Sequence, residues 1–168
     1  MEESLTIKQF NQLTPIELYE ILKLRNDIFI VEQNCPYHDI DGYDPQAYHL
    51  FSKDAEGHVC GCLRILNPGQ TFEEAAIGRL VVRKDQRHTG IARRMMNRAI
   101  TFMQHELSET RIKIEAQEYL LRFYTSVGFQ PCSEMFLEDG IPHVVMQYKA
   151  EKRMPDSVMK NINLSNRP

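Results

Sequence analysis

The clearest anion-binding chemistry in the sequence lies at a turn between two apolar segments. Ala75–Val82 reads as a strand buried on both faces, and residues from Gly90 to His105 place apolar side chains along one face of a helix. The turn between them ends in Arg87, His88, Thr89, Gly90, Ile91 and Ala92. The first backbone N–H groups of a helix lack intrahelical partners, and the helix dipole adds positive charge there. The turn therefore predicts a pyrophosphate-binding site.

The side chains of this turn favour the same prediction. Gly90 lets the backbone approach an anion closely, and Ala92 keeps the next turn of the helix small. The cationic side chains that can neutralise phosphates are Arg83, Lys84, Arg87 and Arg93. The turn matches neither the phosphate loop G-x-x-x-x-G-K-[ST] nor the dinucleotide pattern G-x-G-x-x-G. The two nucleotide-binding folds that carry those patterns are therefore disfavoured.

Two motifs, taken in order, resemble those of a known superfamily. The turn fits the pattern [RQ]-x-x-G-x-[GA], and residues 116–129 end in the pattern F-Y-x-x-x-G-F, from Phe123 to Phe129. These patterns resemble the acetyl-CoA signature and a later motif of the GNAT superfamily of N-acyltransferases. Arg25–Tyr37 and Glu138–His143 are similar to the ElaA-like branch of that superfamily. The resemblance covers residues 4–150.

The resemblance implies a fold, a co-substrate and a reaction. The fold would be α/β, with a mixed, largely antiparallel sheet splayed around a central β-α-β-α unit and helices on both faces. The co-substrate would be acetyl-CoA, whose acetyl group would pass to a primary amine by direct attack in a ternary complex, without a metal. A non-catalytic acyl-CoA-binding sensor, or a module that docks to a partner protein, is the alternative.

The resemblance also implies where the coenzyme binds. Its pantetheine arm would pair with the backbone of the strand Ala75–Val82, where that strand separates from Arg111–Ala116. The residues expected to bind the coenzyme are Leu80, Val81, Val82, Arg87, His88, Thr89, Gly90, Ile91, Ala92, Arg93, Gln117 and Tyr124.

Tyr124 is the expected catalytic residue, because the resemblance places its phenol near the departing sulfur. A tyrosine pKa near 10 lies above a thiol pKa near 8.5, so full proton transfer to the thiolate is uphill by about 2 kcal/mol. Tyr124 is therefore expected to donate a hydrogen bond to the thiolate, or to have a lowered pKa if it acts as an acid. The alternative is an ordinary helix tyrosine with its ring packed in the core.

The amine must also lose a proton, and the sequence leaves the proton acceptor open. A lysine-like amine is neutral at pH 7 only at a cost of about 4.6 kcal/mol. Glu32 and Glu115 are possible bases, and a water chain could also serve. The other candidates are Asp39, Asp41, His49 and His143. The acidic loop that begins at Asp39 could attract a cationic amine, although aspartates in such loops commonly form turns.

Four further residues interrupt or mark the predicted strands. Arg64 and Arg79 lie in otherwise apolar segments, where an ion pair at a sheet edge is favoured over a contact with a substrate carboxylate. Cys60 and Cys62 share one face of a strand, and reduced, buried thiols are the favoured interpretation.

The composition and net charge of the chain limit the classes of partner that it is expected to bind. The chain has 168 residues, 42% of them hydrophobic and 26% charged, which is typical of one compact globular domain. A net charge of -3 gives no general attraction to nucleic acid. No apolar run approaches about 18 residues, so we expect a cytoplasmic protein without a membrane partner. The expected partner is a small-molecule or peptide amine, and the oligomeric state is left open.

The remaining elements must position this chemistry. Thr14 and Pro15 predict the start of a helix that runs to about Val31, and a long loop follows over residues 33–47. Tyr48–Lys53 and Val59–Leu66 predict a hairpin. A second hairpin is predicted from the strands Phe129–Leu137 and His143–Lys149. The predicted domain spans residues 4–150, and residues 151–168 form a polar C-terminal tail.

Overall fold

The computed structural model describes residues 4–150, which form an eight-stranded sheet with helices on both faces. The strands are β1 Leu5–Gln9, β2 Tyr48–Lys53, β3 Val59–Leu66, β4 Ala75–Val82, β5 Arg111–Gln117, β6 Gln130–Pro131, β7 Phe136–Glu138 and β8 Ile141–Lys149. The helices are α1 Pro15–Arg25, α2 Ile91–His105 and α3 Leu121–Val127. The predicted tail, 151–168, lies outside the described residues.

The sheet is mixed and largely antiparallel, as expected. Its strands follow the order β1-β2-β3-β4-β5-β8-β6, and β7 also pairs with β8. β4 and β5 are parallel to each other, whereas the other paired strands are antiparallel. The connection from β4 through α2 to β5 is the predicted central unit, which confirms the fold class.

Helix α1 begins with the capping box that the sequence predicts. The Thr14 hydroxyl accepts a hydrogen bond from the Glu17 N–H at 3.1 Å, and the Glu17 carboxylate accepts one from the Thr14 N–H at 3.0 Å. The α-helix ends at Arg25, and wider π-helical turns continue over Asn26–Glu32. The predicted helical extent to about Val31 is therefore confirmed, but its last turns are not α-helical.

The core has one large cluster on each face of the sheet. On one face, α1 packs its residues Ile21 and Leu24 against Phe51 and Val81. On the other face, α2 buries the apolar stripe formed by Ile91, Met95, Met96, Ala99, Ile100 and Met103. The central strands are therefore covered on both sides, and only their ends can line an open site.

β4 and β5 separate soon after they meet. Their register contains two partner positions, Ala75 with Ile112 and Ala76 with Lys113. Further along β4, the register against β3 shifts, and Arg79 adopts a φ of 55°. The carboxyl-terminal halves of β4 and β5 therefore enclose an opening, which we call the β4–β5 wedge. This confirms the expected splay of the sheet.

The predicted strand Phe129–Leu137 is wrong in one respect, because the structure divides it into β6 and β7. Between them, the Val145 N–H on β8 donates to the Ser133 side chain at 2.9 Å. A side chain therefore takes the place of a backbone acceptor, and the strand is interrupted there. Within residues 4–150, no helix is long and apolar enough to cross a membrane.

Candidate active site

The turn before α2 has the geometry of an anion site. Gly90 is the N-cap residue and has a φ of 84°, in the left-handed region that favours glycine. The Thr89 hydroxyl donates to the Gln86 carbonyl at 2.7 Å and closes the preceding loop. In the described part of the chain, the N–H groups of Ile91, Ala92 and Arg93 have no protein acceptor. These donors can therefore bind phosphate oxygens.

Arg87 joins this turn to two other segments. Its Nε donates to the Val82 carbonyl at 3.0 Å, at the end of β4. Its two terminal nitrogens donate to the two Glu32 carboxylate oxygens at 2.6 and 2.7 Å. The bond from Arg87 lowers the pKa of Glu32, which makes this carboxylate a weaker base. Arg87 thus holds the turn against β4 and against the end of the π-helical segment.

The other turn cation, Arg93, lies against α3. Its guanidinium donates to the Ser126 hydroxyl at 2.7 Å and to the Ser126 carbonyl at 3.2 Å. It also lies 5.9 Å from the centre of the Phe123 ring. Arg93 therefore fixes α3 to the start of α2.

His88 has a φ of 64°, which turns the backbone sharply just before Gly90.

The strand residues expected to pair with the pantetheine arm follow the bulge in β4. Val81 is buried and lies opposite Cys62, in the core beneath α1. Leu80 and Val82 are half-buried and pack on the opposite face. The strand is therefore covered on both faces, as predicted, but its side chains are less buried at this end. The edge of this segment that would face β5 borders the β4–β5 wedge.

Tyr124 lies on α3, which follows β5 closely. Its ring packs edge-on against Phe123 at 5.1 Å and Phe129 at 6.2 Å between centroids. Burial raises the pKa of Tyr124, so its hydroxyl keeps its proton. Of the two chemical roles predicted for Tyr124, this burial favours hydrogen-bond donation over a lowered pKa.

Tyr119 lies just after β5 and is 71% exposed. Partial burial raises the pKa of Tyr119, the charge of Arg87 opposes this rise, and the charge of Glu32 adds to it. Tyr119 in turn acts on Tyr124. Tyr119 is therefore within electrostatic reach of Arg87, Glu32 and Tyr124, and no motif in the sequence identifies it.

Glu115 is a carboxylate whose pKa is raised toward neutral pH. Although part of its side chain is exposed, partial burial and then the negative charge of Glu138 raise the pKa of Glu115 to about 7. A hydrogen bond between the two carboxyl groups acts in the same direction, and Arg79 opposes it. The register places Glu115 opposite Val145 on β8, and Glu138 lies on β7, which also pairs with β8.

Gln117 and the loop after Gln33 close one side of this region. The Gln117 side chain donates to the Gln33 side chain at 3.2 Å. The Cys35 thiol lies 3.6 Å from the Asp139 carbonyl at the turn between β7 and β8. The long loop therefore lies across the carboxyl end of β5.

The two histidine candidates differ in their surroundings. His49 is 1% exposed, its Nε2 lies 2.9 Å from the Asp44 carbonyl, and burial lowers its pKa. The Nδ1 of His143 lies 2.7 Å from the Ile141 carbonyl, which can only accept, so Nδ1 donates and Nε2 is left as an acceptor when the ring is neutral. His143 also stacks on Phe136 at 6.0 Å.

The acidic loop is held by a network of three arginines and three aspartates beneath α1. Arg25 contacts Asp39 at 2.9 Å and Asp44 at 2.7 Å. Arg64 binds Asp41 at 2.8 Å and contacts Asp44 at 3.2 Å. This ion-pair network consists of Arg25, Asp39, Asp41, Asp44, Arg64 and Arg79. Its six charges balance, so the loop aspartates are neutralised by arginines of the protein itself.

The network confirms the ion-pair interpretation of Arg64 and Arg79. Both residues lie on interior strands, β3 and β4, rather than at a sheet edge. Their partners are distant in sequence, and no local signal identifies them. Cys60 and Cys62 are buried, reduced cysteines, as expected, and the Cys60 thiol donates to the Ser52 carbonyl at 3.6 Å. Within residues 4–150, no group of three or more His, Cys, Asp or Glu side chains is arranged to hold a metal ion.

Removing Arg25 is expected to destabilise the protein strongly. Its side chain is 1% exposed, so Arg25→Leu leaves Asp39 and Asp44 buried with fewer partners. We expect the free energy of unfolding in urea to fall by about 3–5 kcal/mol. Lys23→Ala is the matched control, because it removes an exposed ion pair with Asp27 on the same helix and should cost under about 0.5 kcal/mol. Equal losses in the two variants would contradict the structural role of the network.

Comparison with known proteins agrees with this geometry. Residues 27–150 match the family described as acetyltransferase (GNAT) domain. A UPF0039 protein of Schizosaccharomyces pombe is 40% identical over 141 residues, which cover 83% of this chain and 93% of that protein. Protein ElaA of Escherichia coli is 36% identical over 139 residues, which cover 81% of this chain and 90% of ElaA.

A solved structure extends the similarity to the whole fold. The crystal structure of an acyl-CoA N-acyltransferase from Pseudomonas aeruginosa is 34% identical and aligns with a TM-score of 0.82. The alignment covers 88% of this chain and 99% of the other. The match to the family over most of the chain, together with relatives above 30% identity, leads to one conclusion: this chain belongs to the GNAT acetyltransferase family, among the relatives of ElaA.

Proposed function

We propose that this protein is an N-acyltransferase that moves an acetyl group from acetyl-CoA to a primary amine by direct attack. The observation that carries the proposal is the β4–β5 wedge. On its β4 side it continues into a helix N-terminus with unpaired N–H groups, and on its β5 side it leads to Glu115 and the segment that carries Tyr124.

The coenzyme would bind along β4 and the turn. The N–H groups of Ile91, Ala92 and Arg93 would hold the pyrophosphate, because they have no protein acceptor in the described residues. The backbone of Leu80–Val82 would pair with the pantetheine arm. Arg87 would fix the turn through its bond to the Val82 carbonyl. The family match and the acyl-CoA N-acyltransferase similar to this chain support this placement.

In the proposed reaction, the amine nitrogen attacks the thioester carbon and the carbon–sulfur bond breaks. Glu115 would take the proton lost by the amine. Its pKa of about 7 is closer to the pKa of an amine than the pKa of an ordinary carboxylate is, so the transfer is less unfavourable. The Tyr124 hydroxyl would donate a hydrogen bond to the departing thiolate. Glu32 is less suited to act as the base, because its carboxylate is bound by Arg87.

Isothermal titration with acetyl-CoA and CoA tests the proposal directly. We expect binding in the micromolar range, followed by release of free thiol when a panel of small amines and peptide amines is added. No binding by a folded protein would reject the acyltransferase proposal. Binding without thiol release for any amine tested would support a non-catalytic acyl-CoA-binding module instead.

Tyr124→Phe separates the hydroxyl from the packed ring. We expect kcat to fall by about 100-fold, because one hydrogen-bond donor to a developing charge is lost, whereas the Kd for acetyl-CoA changes less than about twofold. Tyr19→Phe is the matched control, since Tyr19 is exposed on α1, and it should leave both constants unchanged. An unaltered kcat in Tyr124→Phe would assign Tyr124 to core packing alone.

A further inference from the structure

Arg79 lies at the position where β4 leaves regular strand geometry. Its φ of 55° falls in the left-handed region, which non-glycine residues adopt infrequently. In the register between β3 and β4, Arg64 pairs with Gly78, whereas Cys62 pairs with Val81. Arg79 and Leu80 therefore share the space opposite Leu63 and form a bulge. A strained residue of this kind persists only when its surroundings hold it.

The surroundings that hold Arg79 are the aspartates of the long loop. Its Nε lies 2.7 Å from an Asp39 carboxylate oxygen, and its Nη2 donates at 3.2 Å to the Asp39 carbonyl and to Asp41. The guanidinium also lies 5.4 Å from the centre of the Tyr37 ring. The side chain of Arg79 is therefore fixed on several sides.

The two aspartates are themselves anchored below α1. Arg25 binds Asp39, and Arg64 binds Asp41. Arg25 and Arg64 are 1% and 4% exposed and Asp39 is also buried, so the anchor is enclosed at Asp39, whereas Asp41 lies at the surface. Movement of Arg79 would therefore require rearrangement of its contacts with the buried Asp39 carboxylate, which is costly.

The bulge is also next to both halves of the proposed chemistry. Leu80, the residue after Arg79, begins the segment proposed to pair with the pantetheine arm. Across the β4–β5 wedge, the positive charge of Arg79 acts on Glu115 and opposes the effects of burial and of Glu138. Arg79 is thus connected to the coenzyme strand through the backbone and to the proposed base through its charge.

We propose that Arg79 is a positioning residue for acyl transfer, which holds the β4 bulge in place through Asp39 and Asp41. This inference rests on the proposed function. Arg79 is not assigned a contact with the coenzyme or the amine. It acts through the backbone of β4, and its positive charge also opposes the rise in the pKa of Glu115.

Arg79→Gly tests the role of the side chain, because glycine accepts the same backbone conformation. We expect kcat to fall at least about tenfold, with the Kd for acetyl-CoA within about twofold of the original value. The acid limb of kcat/KM should also move to higher pH, since loss of the cation raises the pKa of Glu115. Loss of stability alone would not move this limb.

Arg79→Lys separates charge from geometry. Lysine keeps the positive charge but cannot bridge Asp39 and Asp41 with a planar fork, so the acid limb should return toward its original pH while kcat stays low. Arg111→Ala is the control, because it removes an exposed arginine from the start of β5 and should change neither value. If Arg79→Gly does not fold, kcat of Arg79→Lys decides the question.

If Arg79→Gly has the same kcat as the unmutated protein and the acid limb of its kcat/KM profile is not shifted, the inference is overturned. If Arg79→Gly is unfolded, a kcat of Arg79→Lys equal to that of the unmutated protein would overturn the inference as well. Absence of acetyl-CoA binding by the unmutated protein would instead reject the proposed function, and titration of the unmutated protein comes first so that the two failures are distinguished.

Discussion

Gly90→Asp is expected to weaken acetyl-CoA binding by at least about 100-fold, which is the largest effect on binding that the structure predicts. An aspartate at the N-cap of α2 would bring a negative charge next to the N–H groups of Ala92 and Arg93, and the φ of 84° would also strain any residue other than glycine. These are the donors proposed for the pyrophosphate, so the carboxylate would occupy the site and repel the phosphates. A Cβ at position 90 would also lie 3.1 Å from Arg94 Nη1, which would have to move.

Two further variants isolate the cause of this loss. Gly90→Asn has nearly the same shape without the charge, and we expect it to lose less affinity than the aspartate variant. Gly69→Asp introduces the same residue at a similar φ of 83°, in a turn with nothing within 4 Å, and should bind acetyl-CoA normally. Titration calorimetry on proteins with matched melting temperatures gives the comparison. Equal binding by Gly90→Asp and the unmutated protein would exclude this turn as the coenzyme site.

Glu115→Gln is expected to reduce kcat by about 100- to 1,000-fold, because the proposed proton acceptor is removed. The pKa of Glu115 is raised to about 7, so the unmutated enzyme should gain activity as the pH rises through 7 and the carboxyl loses its proton. The variant should lack this rise. Acetyl-CoA binding should remain, because Glu115 is not part of the turn.

Neighbouring charges predict the direction in which this pH dependence moves. Glu138→Gln removes a negative charge that raises the pKa of Glu115, so the rise in activity should shift to lower pH, opposite to the shift expected for Arg79→Gly. Glu106→Gln, at the far end of α2, is the control and should leave the profile unchanged. A pH profile that survives in Glu115→Gln would assign proton removal to another group.

The parts of the site that could be predicted from the sequence depend on local signals. Gly90 stands where a strand pattern changes to a helix pattern, and each pattern extends over several residues. The bounds of β4, and the start of α2 to within one residue, could therefore be predicted. The hairpin of β2 and β3 was predicted with its observed bounds for the same reason. Alternation and capping operate over a few residues, which is the range that one sequence makes visible.

The contacts that decide the chemistry are long-range and escaped prediction. Arg87 pairs with Glu32, which lies 55 positions earlier in the chain, and Arg79 meets Asp39 across 40 positions. Nothing near Glu115 in the sequence shows that Glu138 would raise its pKa, since the two meet through the strands β5, β8 and β7. Side-chain charge therefore indicated possible roles, and the fold supplies the long-range contacts on which the proposed roles rest.

The early separation of β4 and β5 gives the protein a sheet edge in the middle of its sheet. Exposed edges elsewhere invite pairing with other chains, but this one is flanked by β5, so another strand would have little room beside it. A slender, extended molecule that carries amide groups, such as a pantetheine arm, could use the same free backbone donors and acceptors. Unpaired backbone groups at the outside of a sheet favour aggregation. The same groups between two strands of one sheet would instead admit only narrow ligands.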